Sequence, residues 1–175
     1  MSLSIIANST GPVHARPPPH HMGDSIMEMD NMIDFQILAT HDFTTAPPLD
    51  IILVPGGLGA NTLIEKDERV LERFVAARFP AASHVLSVCT GAALLARAGV
   101  LDGRRATTNK DAFEWVKSLG PRTTWVPSAR WVRDGKVWTS SGVSAGYERP
   151  RGGVALAPLG WRRRTKTSVS SPACT

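Results

Sequence analysis

At 175 residues the chain is long enough for one domain with a sizeable core and too short for two comfortable ones. A hydrophobic fraction of 42% with 20% charged residues is that of a globular protein, and no apolar run approaches the ~18 residues of a membrane-crossing helix. The net charge of +5 belongs to one end: residues 147–175 carry six basic side chains against Glu148, while the first 146 residues balance at 14 of each sign.

A nucleic-acid function would therefore rest on that terminal segment alone. It has no aromatic interleaving beyond Trp161 and no heptad or finger pattern, so nucleic acid is not an expected partner. At the other end, Met1 to Ala7 has no basic leader and too short an apolar stretch for a secretory signal. A reducing, cytoplasmic location is expected. The two cysteines, Cys89 and Cys174, match no metal or redox spacing, and a disulfide between them is disfavoured in that compartment.

Leu3 to Ala7 is the first candidate strand, apolar and β-branched. Pro12 to His21, with Pro17-Pro18-Pro19, is expected to be loop. His14, His20 and His21 have no further ligand type at a defined spacing, so an exposed loop is preferred to a metal site. Phe35 to Ala39 is a second strand. Ile51 to Val54, closed by Pro55-Gly56-Gly57, reads as a strand buried on both faces. Glu65 to Phe79 has helical spacing, with Val70, Leu71, Phe74 and Val75 on one face.

His84 to Val88 is another buried strand, and Thr90 to Ala98 a helix of small residues that Gly99 ends. Arg105 to Thr107 is strand-like, and Lys110 to Leu119 is a helix stopped by Gly120-Pro121. Arg130–Arg133 and Lys136–Thr139 flank Asp134-Gly135, a strong hairpin signal. Strands alternating with helices, plus one hairpin, imply a mostly parallel sheet with helices on both faces. Residues 1–146 form the expected domain; residues 147–175 have neither period and read as a basic, disordered tail.

The most informative window is Val85-Leu86-Ser87-Val88-Cys89-Thr90-Gly91-Ala92-Ala93. An apolar strand runs into a nucleophilic residue, and a small-residue helix leaves it. In a nucleophile elbow a sharp turn pushes one side chain out above the sheet, and small neighbours two positions away, here Ser87 and Gly91, let strand and helix approach. A cysteine there meets the unpaired amides of the helix start, and the Thr90 amide is placed to donate to a developing oxyanion. The plainer alternative is a core cysteine acting as a small hydrophobe. Periodicity alone leaves the two nearly even, and the small flanking residues favour the elbow.

Val54-Pro55-Gly56-Gly57, Ser87 to Ala92 and Gly99 to Thr108, in that order, resemble the DJ-1/PfpI family, relatives of the class I glutamine amidotransferases. Trp138 to Gly146 further resembles the isonitrile hydratase-like branch, and the likeness covers roughly residues 3–146. The resemblance implies a three-layer α/β fold with a mostly parallel, flavodoxin-like sheet, helices on both faces and one β-hairpin. It implies Cys89 as nucleophile and Thr90 as catalytic partner through its amide and hydroxyl. It further implies that Gly57 and Leu58 help form the anion and substrate pocket, bordered by Ser141 and Gly142.

Three departures from the family pattern stand out. The chain starts at what looks like the family's second strand, without the first strand and the acidic residue that follows it. Asn109 stands where many relatives have His, and Asn cannot act as a general base. After Gly146 the sequence turns Pro-, Gly- and Arg-rich instead of continuing into a helix. An incomplete gene model would account for both ends.

Two functions of different class follow. One is a cofactor-free, isonitrile hydratase-like lyase acting on a small-molecule substrate. The other is a non-catalytic, redox-sensing or chaperone-like protein whose Cys89 is an oxidisable thiol; an inactive fragment is the third outcome. No cofactor is expected, because the glycines after Val54 lack a dinucleotide pattern, and no metal. The expected protein partner is a second copy of the chain, with no membrane involved.

Overall fold

The computed structural model describes residues 2–14, 20–22, 25–27, 36–142 and 145. The basic segment 147–175, Cys174, Pro17-Pro18-Pro19 and Phe35 lie outside the described residues.

The first third of the chain forms short strands. β1 (Ile6–Ala7) runs parallel to β6 (His41–Asp42), and β2 (Gly11–His14) pairs antiparallel with β5 (Gln36–Ala39). β3 (His20–Met22) and β4 (Ser25–Met27) form a further antiparallel pair. The expected first strand thus shrinks to two residues, and much of the expected loop 12–21 is strand. Pro12 is compatible with β2 because that strand sits in a two-stranded ladder, where a missing N–H can face away from the partner.

The remainder builds the main sheet. β7 (Ile51–Val54) leads into α1 (Leu58–Glu65) and α2 (Val70–Arg78), followed by β8 (His84–Val88) and α3 (Gly91–Arg97). Next come β9 (Arg105–Ala106), α4 (Phe113–Leu119) and β10 (Thr124–Trp125), then β11 (Trp131–Asp134) and β12 (Val137–Ser140). The sheet order is β11-β12-β8-β7, with β7, β8 and β12 mutually parallel and β11 antiparallel. β9 and β10 form a separate parallel pair.

Register explains the core. Ile52, Val85 and Val137 lie side by side across the sheet, and Val54, Ser87 and Thr139 form the next row. Ile52, Val54, Val85 and Val137 pack against Ala60 of α1, Val75 of α2, and Leu94 and Leu95 of α3. Every residue from Gly91 to Ala96 is buried, as expected for a helix that is apolar on all sides. Its far side meets Val116 of α4, with Trp115, Leu119 and Trp125 around it. α3 is therefore enclosed between the sheet and α4.

Three sequence expectations need correction. The helix expected over 65–79 starts only at Val70, because a separate helix, α1, ends at Glu65 and Asp67 between the two adopts φ +50. Asp67, together with Glu72 of α2, holds the nearly buried Arg97 guanidinium, whose third contact is the Ile64 carbonyl at the end of α1. The break thus serves a charge network that joins three helices. β7 is not buried on both faces: Leu53 is 58% exposed while Ile52 and Val54 are buried. Finally, the hairpin turn is Gly135-Lys136, one residue later than expected, since Asp134 pairs with Val137. The Asp134 carboxylate accepts from the Arg105 amide, and Lys136 Nζ donates to the Phe79, Pro80 and Ala82 carbonyls. These contacts pin both residues, and Gly135, at φ +58, takes the first turn position.

Leu95 and Leu53 test this division of the sheet. Leu95→Ala is expected to cost about 2–5 kcal/mol in urea unfolding, as an enclosed cavity requires, and Leu53→Ala within about 0.5 kcal/mol. A comparable loss at both sites would mean that the Leu53 face is covered in solution.

Candidate active site

The end of β8 and the start of α3 meet in one turn residue. Cys89 has φ +56, a left-handed conformation that costs a non-glycine residue roughly 1–3 kcal/mol unless its surroundings enforce it. The surroundings are on both sides. The Cys89 amide donates to the Ser140 carbonyl at 3.0 Å, and its carbonyl accepts from the Thr108 hydroxyl at 2.9 Å. The ends of β12 and of the β9 connection thus clamp the turn, and Cys89 is half-buried.

Two glycines let the turn form. A Cβ on Gly91 would run into the Val54 carbonyl oxygen and come within 2.9 Å of the Pro55 carbonyl oxygen. A Cβ on Gly56 would sit 2.6 Å from the Thr90 nitrogen and 2.8 Å from the Val88 carbonyl oxygen. The loop after β7 is thereby pressed against the turn that carries Cys89.

The loop also engages Thr90. The Gly57 amide donates to Thr90 Oγ1 at 2.9 Å, and that hydroxyl in turn lies 3.5 Å from the Gly57 carbonyl oxygen. Gly57, the residue expected to offer its amide to an anion, spends it on Thr90, and the Thr90 hydroxyl is spent on Gly57. Gly57 is held at φ +134, where a side chain would be strained. Leu58 opens α1 and is partly exposed. Ser141 is buried with its amide on the Arg130 carbonyl at 2.8 Å, and half-buried Gly142 follows it. Because Ser140 bonds Cys89, these two residues leave the sheet beside the cysteine. The expected residues are thus drawn to one end of the parallel strands, where open α/β sheets bind ligands.

The sulfur's neighbour had not been assigned a role. Asn109 Nδ2 donates to Cys89 Sγ at 3.1 Å. The Asn109 Oδ1 accepts from the amides of Asp111 at 2.7 Å and Ala112 at 3.2 Å, in the turn that starts α4. The preceding Thr107 and Thr108 are fully buried: the Thr107 amide bonds Thr139 Oγ1 and its hydroxyl the Val126 carbonyl, both at 2.9 Å. Lys110 Nζ bonds the Ala129 carbonyl at 2.6 Å, and desolvation pushes the Lys110 pKa down. The available signal was Thr-Thr-Asn at the end of a short strand, where an Asn side chain readily accepts from the amides two or three residues on in a turn.

Among the described residues no group of three His, Cys, Asp or Glu side chains is placed to hold a metal. A cavity of about 370 Å³ beside Arg69, Arg97, Asp102 and Arg122 includes none of the residues around Cys89.

Comparison with known proteins gives these features a setting. Residues 20–149 match the DJ-1/PfpI family. The chain is 36% identical over 130 residues to an isonitrile hydratase from Pseudomonas putida, covering 74% of this chain and 54% of that protein. It is 36% identical over 111 residues to an HTH-type transcriptional regulator from Mycobacterium tuberculosis, covering 61% of this chain and 40% of the regulator. The chain thus spans about half the length or less of these relatives. Among solved structures, a THiJ/PfpI family protein from Pseudomonas syringae aligns with a TM-score of 0.56 at 29% identity, over 82% of this chain and 52% of that one. DJ-1beta from Drosophila melanogaster aligns at 0.53 and 22% identity, over 64% of this chain and 59% of its own, a likeness of fold alone. The architecture is the flavodoxin-like α/β arrangement of the class I glutamine amidotransferases.

The glycine contacts give a direct test. Gly91→Ala is expected to lose about 1–3 kcal/mol in denaturant unfolding, the usual cost of overpacking. The same change in stability from Gly59→Ala, where an added Cβ meets nothing within 4 Å, would contradict the close-approach account.

Proposed function

The chain belongs to the DJ-1/PfpI family, and on that premise we propose that it is an isonitrile hydratase-like carbon–nitrogen lyase acting through Cys89 without a cofactor. The single observation carrying this reading is the backbone of Cys89, held at φ +56 between a parallel strand and a buried helix, with the residue half-buried.

The proposed reaction adds water to an isonitrile and yields an N-substituted formamide. The Cys89 sulfur attacks the terminal isonitrile carbon, and a proton from water goes to that carbon, giving a thioimidate. Water then adds to the same carbon, and the tetrahedral species collapses with a proton on nitrogen and the thiolate leaving. The Thr90 amide is the donor assigned to the developing negative charge, because the Gly57 amide is already bonded to Thr90 Oγ1. Gly57 joins it only if the substrate displaces that hydroxyl. Leu58, Ser141 and Gly142 are the proposed walls for the substrate's organic group.

A second reading is favoured by one contact. The Cys89 sulfur meets an amide donor in Asn109 and, among the described residues, no carboxylate. Such a thiol suits reversible oxidation to a sulfenic acid in a non-catalytic, redox-sensing or chaperone-like protein.

The proposed setting is the reducing cytoplasm, where free cysteines persist; no helix among the described residues is long and apolar enough to cross a membrane. A homodimer is the proposed assembly, residues 1–146 the proposed domain, and 147–175 a basic appendage to it.

Incubation with an aliphatic isonitrile, followed by NMR for the formamide, separates the two readings. Turnover is expected from the native chain and none from Cys89→Ser, with the melting temperature of the variant within about 2 °C of the parent, as a near-isosteric change at a half-buried position allows. Formamide from both proteins, or from neither, would sink the lyase reading. Peroxide-dependent sulfenic acid at Cys89 without turnover would install the redox reading instead.

A further inference from the structure

We propose that Asn109 is the residue that holds the Cys89 sulfur ready to react, by donating to it an amide hydrogen that it cannot withdraw. The inference rests on Cys89 being a reactive thiol, but not on the lyase reading or on any substrate.

An asparagine side chain can present either its oxygen or its NH₂ to a neighbour, and only its other contacts decide which. Here they decide. Two backbone amides, of Asp111 and Ala112, point at one terminal atom of the Asn109 amide, at 2.7 and 3.2 Å. That atom must be the oxygen, because an NH₂ there would set donor against donor. The NH₂ is therefore the group 3.1 Å from Cys89 Sγ. Asn109 can donate to the sulfur and cannot accept its proton, so the contact is strongest when the sulfur is a thiolate. Hydrogen bonds to charged groups are about twice as strong as neutral ones.

The placement is also rigid. The fully buried Thr107 and Thr108 precede Asn109, and the Thr108 hydroxyl holds the Cys89 carbonyl. The stretch from 107 to 109 therefore grips Cys89 at its backbone and at its sulfur together. This geometry makes Asn109 a positioning residue that acts by donation, in a place where a base would act by accepting.

The donor and the acceptor that holds the turn before α4 are different atoms, so they separate by substitution. In a Cys174→Ser background, Asn109→Ser keeps an oxygen for the Asp111 and Ala112 amides, adds no charge, and is too short to reach the sulfur. Asn109→Asp keeps the turn acceptor and replaces the donor with a second oxygen. The readouts are the rate of Cys89 alkylation by iodoacetamide at neutral pH and the melting temperature. Asn109→Ser is expected to slow alkylation about tenfold or more, with the melting temperature nearly unchanged. Asn109→Asp is expected to slow it further. Wild-type rates in a folded Asn109→Ser protein would overturn the proposal. Failure of formamide production alone leaves these readouts intact and counts against the lyase reading only.

Discussion

The contact between α3 and the end of β7 sets most of what the rest of the protein does. The helix lies so close to the Val54 and Pro55 carbonyls that only a bare Cα fits at Gly91, and the same approach keeps Gly56 bare against Thr90. A helix brought that near must be small and apolar on all sides, and Gly91 to Ala96 are buried throughout. The strand leading into it must then turn within a single residue. Cys89 takes the left-handed conformation there because Ser140 and Thr108 hold its amide and its carbonyl from either side. Packing of the helix and exposure of the thiol are one geometric problem with one solution.

Hydrogen bonding then divides the surroundings of Cys89 into two parts. On the side of the β7 loop, the Gly57 amide and the Thr90 hydroxyl satisfy each other. On the side of α4, Asn109 reaches the sulfur while its oxygen is committed to two backbone amides. The first part rests on one side-chain bond that a competing oxygen could replace. The second part cannot turn without breaking the turn that leads into α4. One flank of the thiol is adjustable and the other is rigid.

How much of this could be read in the sequence follows from the range of the forces involved. Contiguous apolar runs and a small-residue helix are local, so β7, β8 and α3 were legible, as was the turn at Cys89 between Ser87 and Gly91. The hairpin was visible but its turn was displaced, because long-range bonds from Lys136 to the Phe79, Pro80 and Ala82 carbonyls choose the turn residues. The helix expected from Glu65 begins only at Val70, since Asp67 in the connection before it bonds a partner 30 residues away, Arg97. At the site, the motif order put the β7 loop next to Thr90 and the end of β12 next to Cys89. That Gly57 and Thr90 would bond each other, and that Asn109 would contribute by donating where it could not accept, depends on rotamers and distances that no spacing encodes.

The central claim is that the fold itself makes Cys89 reactive by holding it between these two flanks. The most direct test is the alkylation rate of Cys89 in the Cys174→Ser chain at neutral pH, native against fully denatured. Faster reaction in the native chain, lost on unfolding, is the result predicted by a strained turn with an amide donor at the sulfur. Equal rates, or a native thiol slower than the denatured one, would mean that the turn buries an ordinary cysteine, and the account of the site would fall.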